Sequence, residues 1–260
     1  DFEIIFHLSA IIGVTHVIEQ PYRVLYENVR MLTNIIDKAK KQKHLSRFFF
    51  ASTSEVYAGT LKYFELPIPT PEHTPLAIND LSHPRTSYML CKIYGEALCQ
   101  QAGLPFTLFR PHNVYGPRMG ISHVIPEQLK KAHEAKNLDD IDVFSADHTR
   151  CFCYIDDAIE MLWRMMINNS CENQTLNLGN QTPEVTIREL AQVCHSTTGK
   201  NLSINEKPAS PGSPIRRSPE MSKTFELLNF ESKVELNEGI LKTYDWYKKN
   251  IFEGKQISAR

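Results

Sequence analysis

The sequence predicts an α/β protein: a doubly wound parallel sheet with a smaller mixed lobe attached. Three observations carry this reading. Between residues 3 and 112, strand-like apolar runs alternate twice with segments of helical period and then give a third strand. The central run, "FFFA" at 48–51, is apolar at successive positions, as in strands covered on both faces. Beyond Pro111 the alternation gives way to turn-rich sequence. A chain of 260 residues, 42% hydrophobic and 10% aromatic, has enough apolar surface for one sizeable core and a satellite lobe.

Each element has a local cause. "EIIFHL" at 3–8 is a short apolar run ending in Ser9 and Ala10, a buried strand opening into a loop. From about Tyr22 to Lys41, the residues Leu25, Val29, Leu32, Ile36 and Ala39 recur at helical steps, and "KAKKQK" places lysines at the negative end of the helix dipole. A second strand covers 47–52, and the proline-rich stretch 59–86 reads as a long surface loop of the kind that is usually functional. A helix over 87–102 carries Cys91, Gly95, Leu98 and Ala102 on one stripe and puts Tyr88 and Lys92 one turn apart; the strand "FTLFR" follows. A strand that leads at the very start of the chain into such a crossover looks like part of a longer unit.

Further on, a helix over 123–137, a strand "IDVFS" and an amphipathic helix "DDAIEMLWRMM" are expected, the last with Ala158, Ile159, Leu162, Met165 and Met166 inward. "TLNLGN" reads as another buried strand. "TIRELAQVCHSTTG" reads as a helix capped by Thr186 and closed by Gly199, residues 207–219 as a loop, and 236–249 as a last helix. The cofactor domain is expected over residues 1–112 and 148–180, the substrate lobe mainly over 113–147 and 181–260.

Charge and cysteine usage narrow the partners. Twenty-nine basic against thirty acidic side chains, a formal net charge of −1, give no global electrostatic case for nucleic acid or an anionic membrane. No run approaches the roughly 18 apolar residues of a membrane span, and "DFEIIFHLSA" lacks the basic opening of a signal peptide. Cys91, Cys99, Cys151, Cys153, Cys171 and Cys194 show neither metal-ligand spacing nor disulfide-scaffold density. The pair in "RCFCY" is expected on one strand, both side chains on one face, and no metal is expected. Reduced structural thiols suit a cytoplasmic setting.

Ligands of open parallel sheets sit beyond the carboxyl ends of the strands, which is where Ser52, Thr53, Ser54 and Glu55 fall. A helix starting after the next loop lays Tyr88 and Lys92 over the same edge. A phenol, with an ordinary pKa near 10, needs help to act as a base near neutrality, and a neighbouring ammonium favours the phenolate. A hydroxyl opposite shares the substrate's proton. Deprotonating a sugar hydroxyl turns its carbon into a hydride donor; side chains offer no acceptor, so a nicotinamide cofactor is implied.

The ordered blocks "HLSA", "ENVRMLTNIIDKA", "STSEVY", "SYMLCK", "FRPHNVYGPRMG", "TRCFCYIDDAIE" and "PIRRSPEMSKTFELLNF" resemble, from residue 1 to about 248, the extended short-chain dehydrogenases that remodel nucleotide sugars. The resemblance implies a Rossmann-like cofactor domain binding NAD, with a nucleotide-diphosphate sugar as substrate and a homodimer formed through the helices at 22–43 and 87–102. It implies Thr53 as the hydroxyl partner, Tyr88 as base and Lys92 as stabiliser of the phenolate and ligand of the cofactor ribose, with Ser54 and Glu55 beside them. Leu8, Ser9, Ala10 and Ser52 would line the dinucleotide, Asn28 would support the crevice, and Pro111 and His112 would border the nicotinamide. Asn113, Val124, Arg85, Arg150 and Arg217 would serve the nucleotide sugar, the last two with guanidinium geometry suited to its diphosphate or acidic group.

Out of context, Ser52–Ser54 are ordinary turn residues, Tyr88 and Lys92 an exposed helical pair, and Arg150 a surface ion-pair partner. His112 reads equally well as a core histidine bonded to a backbone carbonyl. Glu55 divides the outcomes. Inversion at C4 needs no extra carboxylate, so epimerisation leads; "TSE" and the "PR" of Pro84 and Arg85 also resemble decarboxylases and 4,6-dehydratases. The family normally opens on a strand, a glycine-rich turn and a helix that hold the cofactor pyrophosphate. Residues 1–260 contain no such cluster, so weak or absent NAD binding is expected of them, and an inactive NAD or nucleotide-sugar binding module is the alternative of another class.

Overall fold

The computed structural model describes residues 1–78, 80–209 and 213–254. The strands are β1 Ile4–His7, β2 Arg47–Ala51, β3 Phe106–Pro111, β4 Val114–Tyr115, β5 Asp140–Phe144, β6 Thr149–Cys151, β7 Cys153–Tyr154, β8 Gln174–Leu178, β9 Glu184–Thr186, β10 Ser203–Lys207 and β11 Arg216–Arg217. The helices are α1 Val14–Glu19, α2 Pro21–Ala39, α3 Ala58–Tyr63, α4 Thr86–Gln101, α5 Val124–Glu134, α6 Ile155–Ile167, α7 Ile187–Thr197, α8 Ser222–Leu228 and α9 Leu236–Tyr247.

Two compact units result. The first comprises Asp1–His112, Met161–Leu178 and Pro219–Phe230; the second comprises Asn113–Glu160, Gly179–Ser218 and the described chain from Glu231 onward. Residues 148–160 group with the second unit because β6 pairs with β9 and β11, and β7 with β4. Residues 219–230 group with the first, where Thr224 Oγ1 donates to Asn177 O of β8 at 2.8 Å and Lys223 Nζ to Thr175 O at 3.0 Å.

In the first unit a parallel sheet runs in the order β1-β2-β3-β8. Phe48, Phe49 and Phe50 are all buried although successive side chains of a strand point to opposite faces, so both faces of β2 are covered. Phe49 stacks on Phe6 at 4.3 Å, while Phe48 and Phe50 join Leu32, Ile36, Cys99 and Leu108 under α2 and α4. Gly95 lets α4 approach this closely: a Cβ there would lie 2.6 Å from Phe50 Cζ and 2.9 Å from Leu32 Cδ2.

The segments before α2 and between β2 and α4 differ from the sequence-based expectation. A short helix, α1, precedes α2, and Pro21 separates them by starting the second helix at its first turn. The stretch expected as a long loop contains α3 and is anchored by side chains: Thr60 Oγ1 donates to Pro75 O at 2.6 Å and accepts from Ala77 N at 3.0 Å, and the buried Glu72 carboxylate accepts from Asn177 N at 2.8 Å.

The second unit packs Tyr115, Ile125, Leu129, Val143, Phe152, Leu190, Cys194 and Ile240 into one core among α5, α7 and α9. The capping expectation for α7 holds: Thr186 Oγ1 accepts from Glu189 N at 3.0 Å, the Glu189 carboxylate accepts from Thr186 N at 2.7 Å, and Gly199 takes φ +73° beyond the last turn. In α6 the inward side differs: Met161 is buried and Ile159 is 56% exposed. "RCFCY" is interrupted at Phe152, so Cys151 and Cys153 belong to strands with different partners. All six cysteines are buried and free. The expected loop 207–219 includes β11, and residues 210–212 lie outside the described residues.

Candidate active site

The carboxyl ends of β1, β2 and β3 form one edge of the parallel sheet. Beyond β2, Thr53 is extended and caps the 3₁₀ turn Ser54–Tyr57, its Oγ1 accepting from Glu55 N at 3.2 Å. The Tyr88 side chain, in the first turn of α4, lies near enough to Thr53 for the threonine hydroxyl to act on its phenol. One turn later Lys92 is 4% exposed; its Nζ donates to Ala51 O at 2.7 Å and lies 4.9 Å from the Phe50 ring and 5.8 Å from the Tyr88 ring. Thr53, Tyr88 and Lys92 are thus brought together within the first unit.

Electrostatics modify the sequence-based expectation for the phenol. Burial, followed by the neighbouring Cys91 and Glu55, holds Tyr88 above its ordinary value against the lowering effect of the Thr53 hydroxyl. The phenol is therefore protonated near neutrality in this state. Lys92 is itself pushed down, chiefly by burial. His7, at the end of β1, is pushed down to about 4 by burial and by the Lys92 charge.

The other residues assigned by sequence to the dinucleotide occupy the same edge. Leu8 is 58% exposed, Ser9 is exposed and Ala10 is half-buried. Asn28 braces the loop behind them, accepting from Ile11 N at 2.7 Å and donating to Ile11 O at 3.1 Å. Pro111 ends β3, and His112 is buried with Nε2 3.1 Å from Asn177 Oδ1. The donor set fits an NAD ribose. Among the described residues Lys92 Nζ has Ala51 O as its one hydrogen-bond acceptor and no carboxylate within 4.0 Å, so a buried ammonium retains N–H groups for a diol. Arg85 immediately precedes α4 and is half-buried.

In the second unit Asn113 adopts φ +43°, which asparagine tolerates, and its Nδ2 donates to Cys151 O at 2.9 Å. Val124 packs against the second unit's core. Arg150 and Arg217 are direct register partners on β6 and β11. The Arg150 guanidinium donates to Thr149 O and Pro214 O, each at 2.7 Å, and to Ser213 Oγ at 3.0 Å.

Sequence reasoning missed a buried polar network under the catalytic edge. Arg110 of β3 forms a two-pronged pair with Glu96 of α4, Nε–Oε1 2.9 Å and Nη2–Oε2 2.7 Å, and also donates to Tyr57 Oη at 2.6 Å and Glu72 O at 2.9 Å. Ser52 Oγ donates to Glu96 Oε1 at 2.5 Å. Asn177 closes the network, accepting from Tyr57 Oη at 3.1 Å. The available signal was Glu96 itself, an acid one turn beyond Lys92 on the same face of α4.

Known proteins resemble this chain in sequence and in fold. The chain is 31% identical over 259 residues to the UDP-N-acetyl-alpha-D-glucosaminuronate decarboxylase of Bacillus cytotoxicus, covering 95% of this chain and 77% of the relative. It is 29% identical to the probable GDP-L-fucose synthase 1 of Oryza sativa subsp. japonica, covering 91% and 73%. Among solved structures, the Bacillus cereus UDP-glucuronic acid 4-epimerase with UDP-glucuronic acid and NAD superposes with TM-score 0.77 at 25% identity, covering 95% of this chain and 75% of that one. The Thermotoga maritima UDP-glucose 4-epimerase gives 0.79 at 24% identity, covering 95% and 77%, a likeness of fold. A family profile matches residues 1–179, and with the decarboxylase relative it shows that the chain belongs to the NAD dependent epimerase/dehydratase family.

Proposed function

We propose that this enzyme oxidises a nucleotide-diphosphate sugar at C4 to a 4-keto intermediate and completes a 4-epimerisation. The observation that supports the reading is the Tyr88 phenol placed where the Thr53 hydroxyl acts on it, with Lys92 Nζ 5.8 Å from its ring. Tyr88, once ionised, accepts the proton of the C4 hydroxyl, and Thr53 shares that proton and orients the oxygen. NAD, when bound, supplies the hydride acceptor and later the donor. Lys92 holds the nicotinamide ribose and favours the phenolate. The hydride leaves C4 with its electron pair as the C4–O bond becomes a carbonyl; its return to the opposite face, with the proton returned to oxygen, inverts the centre.

A second reading is favoured by Glu55, whose charge acts on the Tyr88 phenol. In a uronic acid the C4 ketone is β to the C6 carboxylate. The C5–C6 bond can then break, its electron pair passing into the C4 carbonyl as carbon dioxide leaves; a proton delivered to C5 gives a 4-keto pentose, and return of the hydride to C4 with a proton to its oxygen gives the pentose. The Bacillus cytotoxicus relative is named for a decarboxylation. A 4,6-dehydratase would use Glu55 in the same place, to remove the C5 proton.

For the second unit we assign Arg150 and Arg217, side by side on β6 and β11, to the diphosphate or the sugar's acidic group, with Asn113 and Val124 contacting the nucleotide sugar. Tyr22, Tyr26 and Tyr94, exposed on α2 and α4, support a homodimer through these helices. Free cysteines support a cytoplasmic setting, and no helix among the described residues is long and apolar enough to cross a membrane.

The test incubates the protein with NAD and a panel of UDP-, GDP- and dTDP-sugars in deuterated water, followed by NMR. Inverted C4 with retained C5 hydrogen supports epimerisation; a pentose establishes decarboxylation, and deuterium at C5 or C6 with a deoxy product establishes dehydration. Tyr88→Phe is expected to abolish turnover and preserve binding. Wild-type turnover in that variant would overturn the 4-keto mechanism.

A further inference from the structure

We propose that Ser52 and Glu96 are positioning residues that set the register of Tyr88 against Thr53, an inference that rests on the proton-transfer role proposed for that pair. Tyr88, Lys92 and Glu96 occupy successive turns on one face of α4. Two of the three fasten consecutive residues at the end of β2: Lys92 Nζ holds Ala51 O at 2.7 Å and Glu96 Oε1 holds Ser52 Oγ at 2.5 Å. The next residue is Thr53, whose side chain meets Tyr88 and caps the following turn. The helix carrying the base and the strand end carrying the hydroxyl are therefore clamped at two points directly beside the reacting groups.

Glu96 is itself held. Arg110 grips both carboxylate oxygens, and Tyr57 Oη and Glu72 O fix the guanidinium from the far side, with the Tyr57 ring 4.9 Å from its carbon. Both members of the pair are nearly excluded from water, at 5% and 3% side-chain exposure. A buried ion pair is a poor way to gain stability, since well-packed apolar side chains of the same volume serve as well or better. What apolar side chains cannot do is present a fixed, charged acceptor to the Ser52 hydroxyl. A charge-assisted hydrogen bond is short and directional, and displacements of about 1 Å at a reacting centre cost on the order of a hundredfold in rate.

The experiment compares Ser52→Ala and Ser52→Thr with the wild-type protein, using the sugar and product established for it. Ser52→Ala removes one hydrogen bond and leaves the Arg110–Glu96 pair intact. It is expected to lower kcat about tenfold, with KM for the nucleotide sugar within about twofold. The acid limb of the kcat/KM profile should move up by roughly half a pH unit or more, because the phenolate loses part of its support. Ser52→Thr restores the hydroxyl and should recover kcat to within about threefold of wild type. Unchanged kcat and pH profile in Ser52→Ala overturn the proposal, and so does a loss of activity that follows loss of folded protein in both variants. Full turnover in Tyr88→Phe would instead remove the underlying mechanism, so the two failures are distinguishable.

Discussion

Gly95→Ala tests whether the helix bearing Tyr88 and Lys92 is as tightly seated as its contacts imply. In an unconstrained helix this change would stabilise by about 1 kcal/mol. Here the added methyl would meet Phe50 Cζ at 2.6 Å, Leu32 Cδ2 at 2.9 Å and Phe50 Cε1 at 3.0 Å. Phe50 and Leu32 are 2% and 1% exposed, so neither side chain has room to swing aside. Overpacking of this kind costs typically about 1–3 kcal/mol. Set against the propensity gain, the net expectation is a loss of up to about 2 kcal/mol, or a Tm lower by up to about 8 °C. Because Lys92 lies over the Phe50 ring, turnover should fall as well. Urea titration followed by circular dichroism, with thermal melts, measures the balance. A variant more stable than wild type would refute the argument, showing that α4 has slack over β2 and that propensity decides.

Arg110→Met leaves the Glu96 carboxylate buried with Ser52 Oγ as its remaining side-chain donor, and the expected loss is about 3–5 kcal/mol. Arg110→Met combined with Glu96→Leu should recover most of that stability in urea titrations without recovering turnover. His7 has a native pKa of about 4 against an ordinary 6.5, so between those values the unfolded chain binds the extra proton. Stability is then constant above pH 6.5, falls as the pH drops toward 4, and levels off below that. The fall, discounted for solvent screening, is about 1–2 kcal/mol and should vanish in His7→Asn when denaturation is repeated across that range. Thr186→Ala removes the acceptor for Glu189 N at the start of α7 and should cost about 1 kcal/mol, whereas Thr186→Ser should be close to wild type.

The order of elements, the parallel sheet and the positions of Thr53, Tyr88 and Lys92 were legible in sequence because they rest on local rules. Successive buried phenylalanines mark a strand covered on both sides, a four-residue step puts Tyr88 and Lys92 on one helix face, and Thr186 with Glu189 announces a helix start. The helices α1, α3 and α8, of 6, 6 and 7 residues, were missed because so few turns show no helical period, and the paired strands of two or three residues because their partners are distant, such as Arg216 and Arg217 on Thr149 and Arg150. The Glu96–Arg110–Ser52 network was likewise hidden: each member looks like an ordinary polar residue until the sheet brings three separate segments together away from water. The sign of the Tyr88 shift belongs to the same class, since a four-residue spacing says that an ammonium is one turn away, and only packing reveals that burial is the largest influence on the phenol and raises it. Sequence alone thus determined which groups stand at the edge of the sheet, while tertiary structure decided how they are held and charged, because desolvation and long-range hydrogen bonds exist only once the chain has folded.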